Sequence, residues 1–247
     1  MTDRNGYRAV IGIAIPSLNT TTQPESEALR PAGVTNQSAR FLVRDLAIND
    51  DADFAAMMSG MLPRIGSAIE QLATCRPDHL LVSLSTETLP DAAGAAATIR
   101  STAADCMDCD VTLTTDACVE ALQRMGVKRV QLLSPFTAGA AASASHYFEE
   151  AGFSVNGHTA LGLASPLDYP NVRPETIHER LQASELDGAE VILQLGTNLS
   201  TAAMAAPLER ALGRPFISAN VASYWHALRS LGIIDPIEGF GRLAELY

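Results

Sequence analysis

Two stretches of the chain place hydroxyl, amide and carboxylate groups directly after an apolar run. Residues 80–84 are followed by Ser85-Thr86-Glu87, and residues 191–195 are followed by Gly196-Thr197-Asn198. Hydroxyls and amides can hold carboxylate oxygens by neutral hydrogen bonds, and a carboxylate beside a hydroxyl can move a proton. A short apolar run is typical of a buried strand. The two stretches therefore predict polar strand ends that face each other and build one site.

A third polar stretch follows the first apolar run of the chain. It extends from Pro16 to Glu25 and includes Ser17 and Asn19. Its hydroxyls and amide suit a bound carboxylate, but the same residue types also satisfy backbone groups in capped turns. The sequence leaves both interpretations open.

Short apolar runs alternate with longer segments of helical period, which is typical of βα units with a parallel sheet. The predicted strands are Ala9–Ile15, Phe41–Leu46, Leu80–Leu84, Val111–Thr114, Val130–Leu133, Phe153–Val155, Val191–Leu195 and Phe216–Ser218. The segments Asp53–Leu72 and Asp116–Met125 each predict a helix with one apolar face. Pro63 is expected to kink or split the first helix, and Gly126 and Gly232 stand where a helix end favours positive φ.

The two halves of the sequence are similar to each other. Residues 7–17 resemble residues 127–137, and residues 110–126 resemble residues 214–232. We therefore predict an α/β fold of two pseudosymmetric, Rossmann-like half-domains with parallel sheets. Residues 1–115 with 219–247 are expected to form the first half-domain, and residues 116–218 the second. Ligands bind beyond the carboxyl ends of open parallel sheets, so the site is expected between the halves.

The composition is that of a globular chain with an acidic balance. The 247 residues are 47% hydrophobic and 18% charged, with a formal net charge of −11. This balance argues against a nucleic-acid partner, because phosphate contacts need an excess of Lys and Arg. No apolar run is long enough for a membrane span, and the polar N-terminus does not resemble a signal peptide. We expect a cytoplasmic protein without a membrane partner.

The cysteines and histidines offer few combinations for metal or redox chemistry. Cys106 and Cys109 have the spacing of a zinc or redox motif, but no second pair or nearby histidine completes it. The alternative is a pair of helix-end thiols, and no metal is expected. His158 and His178 are minor candidates for a base. The remaining histidines are expected to be packed or surface residues: His79, His146 and His226.

Several motifs resemble, in their order and spacing, the maleate cis–trans isomerase and arylmalonate decarboxylase group of the aspartate/glutamate racemase superfamily. The N-terminal motif is Pro16-Ser17-Leu18-Asn19-Thr20, followed by Glu25. The other similar segments are 112–115, 126–129, 134–137, 150–153, 196–199 and 218–220, with Trp225, Leu228 and Gly232. The resemblance implies a pseudosymmetric fold of two halves and neither metal nor organic cofactor. It also implies a small carboxylate or amino-acid-like substrate, and often a homodimer.

The resemblance implies one or two catalytic cysteines at strand ends, and this sequence lacks them. Carried over by position, they fall on Ser85 and Gly196, and Cys118 is the nearest thiol. A serine hydroxyl is a poor base unless a neighbour activates it. Glu87 is expected either to act as the base or to activate Ser85; the alternative is that it caps the following helix.

Two further positions depart from the family pattern. Phe136 stands where the maleate isomerase pattern has a substrate-binding tyrosine, and Tyr169 could return that hydroxyl to the site. The pattern also has an asparagine near Asp168. Either Asn171 replaces it, or this end of the substrate differs.

We predict a cofactor-independent enzyme that acts on a small (di)carboxylate or amino-acid-like substrate. Its chemistry is expected to be of isomerase or decarboxylase type, next to a carboxylate and without cysteine. Ser85 and Glu87 are the expected catalytic pair. The expected substrate-binding residues are Ser17, Asn19, Thr86, Thr115, Phe136, Tyr169, Gly196, Thr197 and Asn198. The alternatives are a hydrolase of a small amide, ester or lactone that uses Glu87 and Ser85, and a carboxylate-binding protein without catalysis.

Overall fold

Two four-stranded parallel sheets form the centre of the molecule. The computed structural model describes residues 4–44, 48 and 50–247. The first sheet has the order β2-β1-β3-β4 and the second the order β6-β5-β7-β8. The strands are β1 (Ala9–Pro16), β2 (Val34–Phe41), β3 (His79–Val82), β4 (Asp110–Leu113), β5 (Arg129–Ser134), β6 (Ser154–Ala160), β7 (Val191–Gln194) and β8 (Phe216–Ser218). The matching strand orders confirm the predicted α/β fold with two similar sheets.

Helices connect the strands. They are α1 (Thr22–Leu29), α2 (Asp51–Ala73), α3 (Ala92–Ala104), α4 (Thr114–Arg124), α5 (Ala138–Glu150), α6 (Pro174–Gln182), α7 (Ala205–Leu212), α8 (Ala219–Ser230) and α9 (Arg242–Leu246). Gly126 and Gly232 follow α4 and α8 with φ of +70°, which confirms their predicted role at helix ends. Within the described residues, none of the helices is both long and apolar enough to cross a membrane.

Helix α2 packs against β1 and β2 with a long apolar face. The helix begins after Asp50, whose carboxylate accepts the N–H of Asp53 at 2.9 Å and so caps the first turn. The buried residues of this face are Phe54, Met57, Met58, Met61, Ile65, Ala68, Ile69 and Leu72. The helix is not split at Pro63, because a proline removes only one backbone donor and the buried face extends on both sides of it.

Two strands differ from their sequence predictions. The predicted strand Phe41–Leu46 is wrong, since the strand is Val34–Phe41 and residues 42–44 are irregular; positions 45 and 46 lie outside the described residues. Likewise, β6 extends to Ala160, well beyond Val155. Both are edge strands. An edge strand in a parallel sheet is partly exposed and needs no continuous apolar run, so the apolar pattern misplaced or shortened them.

Helix α8 leads the chain from the second sheet back to the first. It packs against α4, β3 and β4. The hydroxyl of Ser223 donates to Oγ1 of Thr114 at 3.1 Å, and Nδ1 of His226 lies 2.7 Å from Oγ1 of Thr112. The division of the chain into half-domains at 115/116 and 218/219 stays a prediction.

The buried carboxylate of Glu25 joins the two halves. Its Oε1 accepts the N–H groups of Thr201 and Ala202 at 3.0 Å and the hydroxyl of Ser200 at 3.1 Å. Its Oε2 accepts Nδ2 of Asn220 at 2.6 Å. Burial raises the pKa of Glu25, and these hydrogen bonds oppose the rise. Helix α1 is thereby attached to the turn after β7 and to the start of α8.

Replacing Glu25 with alanine should strongly destabilise the protein. Glu25→Ala leaves two buried N–H groups and an amide without their acceptor, so we expect a loss of about 3–5 kcal/mol in the free energy of unfolding. The neighbouring Glu27 is exposed and pairs with Arg30 at the surface, so Glu27→Ala should cost at most about 1 kcal/mol. Urea unfolding of both variants measures the difference. Similar losses for the two would show that Glu25 does not hold the halves together.

Candidate active site

A cavity of about 50 Å³ lies where the ends of β1, β3 and β7 meet. This is room for only a few water molecules, so a larger ligand requires side chains of the lining to move. Its lining residues are Pro16, Leu18, Asn19, Phe54, Met57, Met58, Met61, Ser83, Leu84, Ser85, Phe136, Pro166, Tyr169, Gly196, Thr197 and Asn198. The structure therefore brings together the two strand ends that the sequence singled out, and none of the described residues that line the space between them is charged.

The two asparagines at the cavity are already engaged within the protein. Asn19 donates from Nδ2 to the hydroxyls of Thr22 and Thr197, both at 3.0 Å, and accepts two backbone N–H groups at its Oδ1. Asn198 accepts the N–H of Thr20 at 2.9 Å and donates to the carbonyl of Pro166 at 2.9 Å. These amides hold the two strand ends against each other. The hydrogen bonds of Asn19 support the turn-stabilising interpretation of the polar stretch, and its role in binding a carboxylate stays a prediction.

Other donors at the cavity have no acceptor among the described residues. One is the buried hydroxyl of Tyr169, and burial raises its pKa so that it stays protonated. Among the described residues, no acceptor is bonded to the backbone N–H of Gly196, Thr197 or Asn198. Successive free N–H groups beside a positive-φ glycine are suited to binding an anionic oxygen. This end of the cavity can therefore hold a carboxylate or an enediolate without a cation.

The opposite side of the cavity is apolar. Helix α2 contributes Phe54 and three methionines, and the ring of Phe136 lies 6.1 Å from that of Phe54 and 6.5 Å from that of Tyr169. The contribution of α2 to the cavity wall was not predicted from the sequence. The available signal was the clustering of Met57, Met58 and Met61 on one helix face, which is also typical of ordinary core packing.

Ser85 and Glu87 lie on either side of the cavity wall. Ser85 lines the cavity, whereas Glu87 lies behind it in the 3₁₀ turn Thr86–Thr88. Oε2 of Glu87 accepts the hydroxyl of Thr115 at 2.5 Å, and Thr115 in turn accepts the hydroxyl of Thr86 at 2.9 Å. The hydroxyl of Ser85 is close enough to lower the pKa of Glu87 but does not reach hydrogen-bond geometry, so Oε1 is buried without a partner.

The Glu87 carboxyl is poised to exchange a proton near neutral pH. Burial raises its pKa to about 7, the hydroxyl of Thr115 opposes the rise, and Asp116 adds to it. The alternative in which Glu87 caps the next helix is wrong, because Asp91 caps α3 by accepting the N–H of Gly94 at 2.8 Å. On its other side Glu87 lines a surface groove between α3 and α5, together with His146.

Four of the predicted site residues do not line the cavity, namely Glu87, Thr86, Thr115 and Ser17. Thr86 and Thr115 bond to each other and to Glu87 instead of facing a ligand. Ser17 accepts the N–H of Val43 at 2.9 Å. Their prediction as direct substrate ligands is corrected for a common reason: each hydroxyl satisfies a neighbouring polar group on the protein side of the wall.

The histidines and cysteines also lie away from the cavity. His158 bonds to the hydroxyls of Ser134 and Ser145 at 2.7 and 2.9 Å, and His178 borders a separate surface pocket. Cys118 is buried, and burial raises its pKa well above its ordinary value. Within the described residues, no group of three His, Cys, Asp or Glu side chains is arranged to hold a metal ion.

Comparison with known proteins gives the family. Residues 67–244 match the family model of arylmalonate decarboxylase. The chain belongs to this family. A maleate isomerase of Pseudomonas putida is 24% identical over 243 residues, which cover 94% of this chain and 96% of the relative. Family membership confirms the prediction of an enzyme of isomerase or lyase type in the racemase superfamily.

Solved structures of two members share the fold. A cysteine-to-serine mutant of Nocardia farcinica maleate cis–trans isomerase, which carries a covalently bound succinylcysteine intermediate, matches with a TM-score of 0.83 and 21% identity, covering 96% of this chain and 98% of that one. Unliganded arylmalonate decarboxylase matches with a TM-score of 0.73 and 17% identity, covering 96% and 99%. In the present chain, none of the described residues that line the cavity is a cysteine.

Gly196 shows why the second strand end carries no side chain in this family member. Its φ is +89°, and a Cβ there would lie 2.8 Å from Cδ of Pro135 and 3.2 Å from Phe136. A cysteine therefore does not fit this backbone without displacing the cavity wall. The assignment of Ser85 and Gly196 to the family's cysteine positions stays a prediction.

The substitution Gly196→Ala should lower the free energy of unfolding by more than the positive φ of this residue alone explains. Gly152 is a matched control because its φ is +91° and a Cβ there meets nothing within 4 Å. Gly152→Ala should reduce the free energy of unfolding by about 1 kcal/mol, and Gly196→Ala by about 1–3 kcal/mol more because of the contact with Pro135. Denaturant unfolding of both variants tests this. Equal losses would mean that the wall at Pro135 gives way freely.

Proposed function

We propose that the protein is a cofactor-independent enzyme that cleaves or forms a bond next to the carboxylate of a small acid with an apolar substituent. Decarboxylation followed by protonation at the same carbon is the reaction that suits the site best. The observation that carries this proposal is the division of one cavity into a cation-free polar end and an apolar wall. One carboxylate can bind at the N–H groups of Gly196–Asn198 while the substituent lies against α2.

The polar end is suited to the charge that develops in such a reaction. When a carboxylate leaves as neutral CO₂, its electron pair passes to the neighbouring carbon and into the retained carboxylate, giving an enediolate. The N–H groups of Thr197 and Asn198 and the hydroxyl of Tyr169 would donate to its oxygens. The departing group loses its charge, so an apolar wall without Lys or Arg favours its release rather than its retention.

Ser85 and Glu87 would supply the proton. The hydroxyl of Ser85 would give its proton to the carbon of the enediolate, and protonated Glu87 would replace it from behind the wall. The groove on the far side of Glu87 would return a proton from solvent. A single acid–base relay of this kind supports a lyase over a racemase, which needs two such groups.

Turnover in isotopic water tests the reaction. Aryl- and alkyl-substituted malonates incubated in D₂O should release CO₂ and gain one deuterium on the carbon that lost it, whereas the hydrolase alternative predicts oxygen-18 from labelled water in the product. Ser85→Ala and Glu87→Gln should each lower kcat by about 10²–10⁴. The exposed Glu150 of the groove provides the control Glu150→Gln, which should retain kcat. Full activity in Glu87→Gln would refute the relay, and no conversion of any small acid would refute the reaction.

Both kcat and the stability of the protein should depend on the protonation of Glu87. As the proton donor, it must be protonated, so kcat should fall as pH rises through about 7, and this fall should be absent in Glu87→Gln. Stability should change with pH in the same direction as kcat. Because the pKa of Glu87 is raised in the folded protein, its stabilising contribution is complete below its ordinary pKa of 4.5 and is lost as pH rises through about 7.

Urea unfolding of the wild type and of Glu87→Gln between pH 4.5 and 8 tests the dependence of stability on pH. The wild type should lose up to about 3 kcal/mol relative to the variant between pH 4.5 and 8. Glu25 also has a raised pKa, but it is present in both proteins and cancels. Parallel stability curves would show that Glu87 does not titrate in this range.

A further inference from the structure

A second pocket lies against the opposite side of the methionines that line the cavity. It has a volume of about 90 Å³ and is formed between the segment after β2 and helix α2. Its lining residues are Leu42, Val43, Arg44, Ala56, Met57, Gly60, Met61 and Arg64. Met57 and Met61 line both this pocket and the cavity, so these two side chains form the partition between them.

The charge of this second pocket is opposite to that of the protein. The chain has 28 acidic and 17 basic residues, yet the described residues that line the pocket include two arginines and no carboxylate. Arg8 and Arg100 pair with Asp235 and Asp116, respectively. By contrast, neither Arg44 nor Arg64 forms an ion pair with a described residue. A half-buried guanidinium such as Arg64 without a carboxylate is suited to binding an anion from solution.

The partition between the two spaces is made of movable parts. Methionine is unbranched and has three rotatable bonds, so its thioether can move without breaking a hydrogen bond. Met57 and Met61 are one helical turn apart and lie one above the other on the same face of α2. Gly60, between them in sequence, faces open space, since a Cβ there would meet nothing within 4 Å. Rotation of the two methionines would join the cavity to the pocket.

We propose that the pocket with Arg44 and Arg64 binds the distal carboxylate of an elongated acid whose other carboxylate occupies the polar end of the cavity. The apolar middle of such a ligand passes Met57 and Met61. This inference rests on the proposed function for the location of the first carboxylate. It adds the class of preferred ligand, which is a chain with an anionic group at each end and an apolar centre.

Calorimetric binding of paired ligands tests the inference without requiring turnover. The probes are the linear dicarboxylates from succinate to suberate, each compared with the monocarboxylate of equal chain length. At one length the dicarboxylate should bind at least about tenfold more tightly than its partner, and added salt should reduce this ratio. Equal affinities of the two series at every length would overturn the inference.

Variants of the pocket residues test whether this pocket causes the preference for dicarboxylates. Arg64→Gln and Arg44→Gln should each bring the affinity ratio towards one, and Arg124→Gln is the control for net charge because this residue is exposed at the end of α4. Gly60→Leu should fill the pocket and abolish the preference, while Gly60→Ala controls for the change in helix propensity. A ratio that survives in Arg64→Gln and in Gly60→Leu would refute the site. A preserved dicarboxylate preference without any catalysis would refute the proposed reaction alone.

Discussion

The buried Glu25 carboxylate is the constraint on which the geometry of the site depends. It bonds helix α1 to the turn after β7 and to the start of α8. Asn19 and Asn198 add reciprocal bonds between the same two strand ends. Because buried polar groups cannot lose these partners without cost, the ends of β1 and β7 keep a fixed relative position, and the cavity lies between them.

This network divides the polar residues into two sets with different tasks. Asn19, Asn198 and Ser17 use their side-chain hydrogen bonds to hold loops in place. The hydroxyl of Tyr169 and the N–H groups of residues 196–198 have no hydrogen-bond partner among the described residues and are the proposed binding groups. The positioning residues and the proposed binding groups are therefore adjacent in sequence, and only their hydrogen bonds distinguish them.

The sequence predicts the fold well because a buried parallel strand leaves a continuous apolar run. It misses much of β2 and β6, which are edge strands with polar residues and carry no such run. The strand-end rule locates Ser85 and Thr197 at the cavity but also selects Thr86 and Thr115, since the sequence does not tell which hydroxyl faces the cavity and which bonds within the protein. The wall formed by Met57 and Met61 is hidden for another reason: apolar residues on a helix face look the same whether they meet a core or a cavity.

The two strand ends have become chemically unequal although the sheets that carry them are alike. At the end of β3, Ser85 faces the cavity with the titratable Glu87 behind it. At the end of β7, the positive φ of Gly196 and the proximity of Pro135 exclude a side chain, so this end offers only backbone donors and hydroxyls. In the proposed reaction, the first end would move a proton while the second would stabilise negative charge. Such a site would deliver a proton from one direction only, which suits a bond cleavage completed by a single protonation and not the reversible two-sided exchange of a racemase.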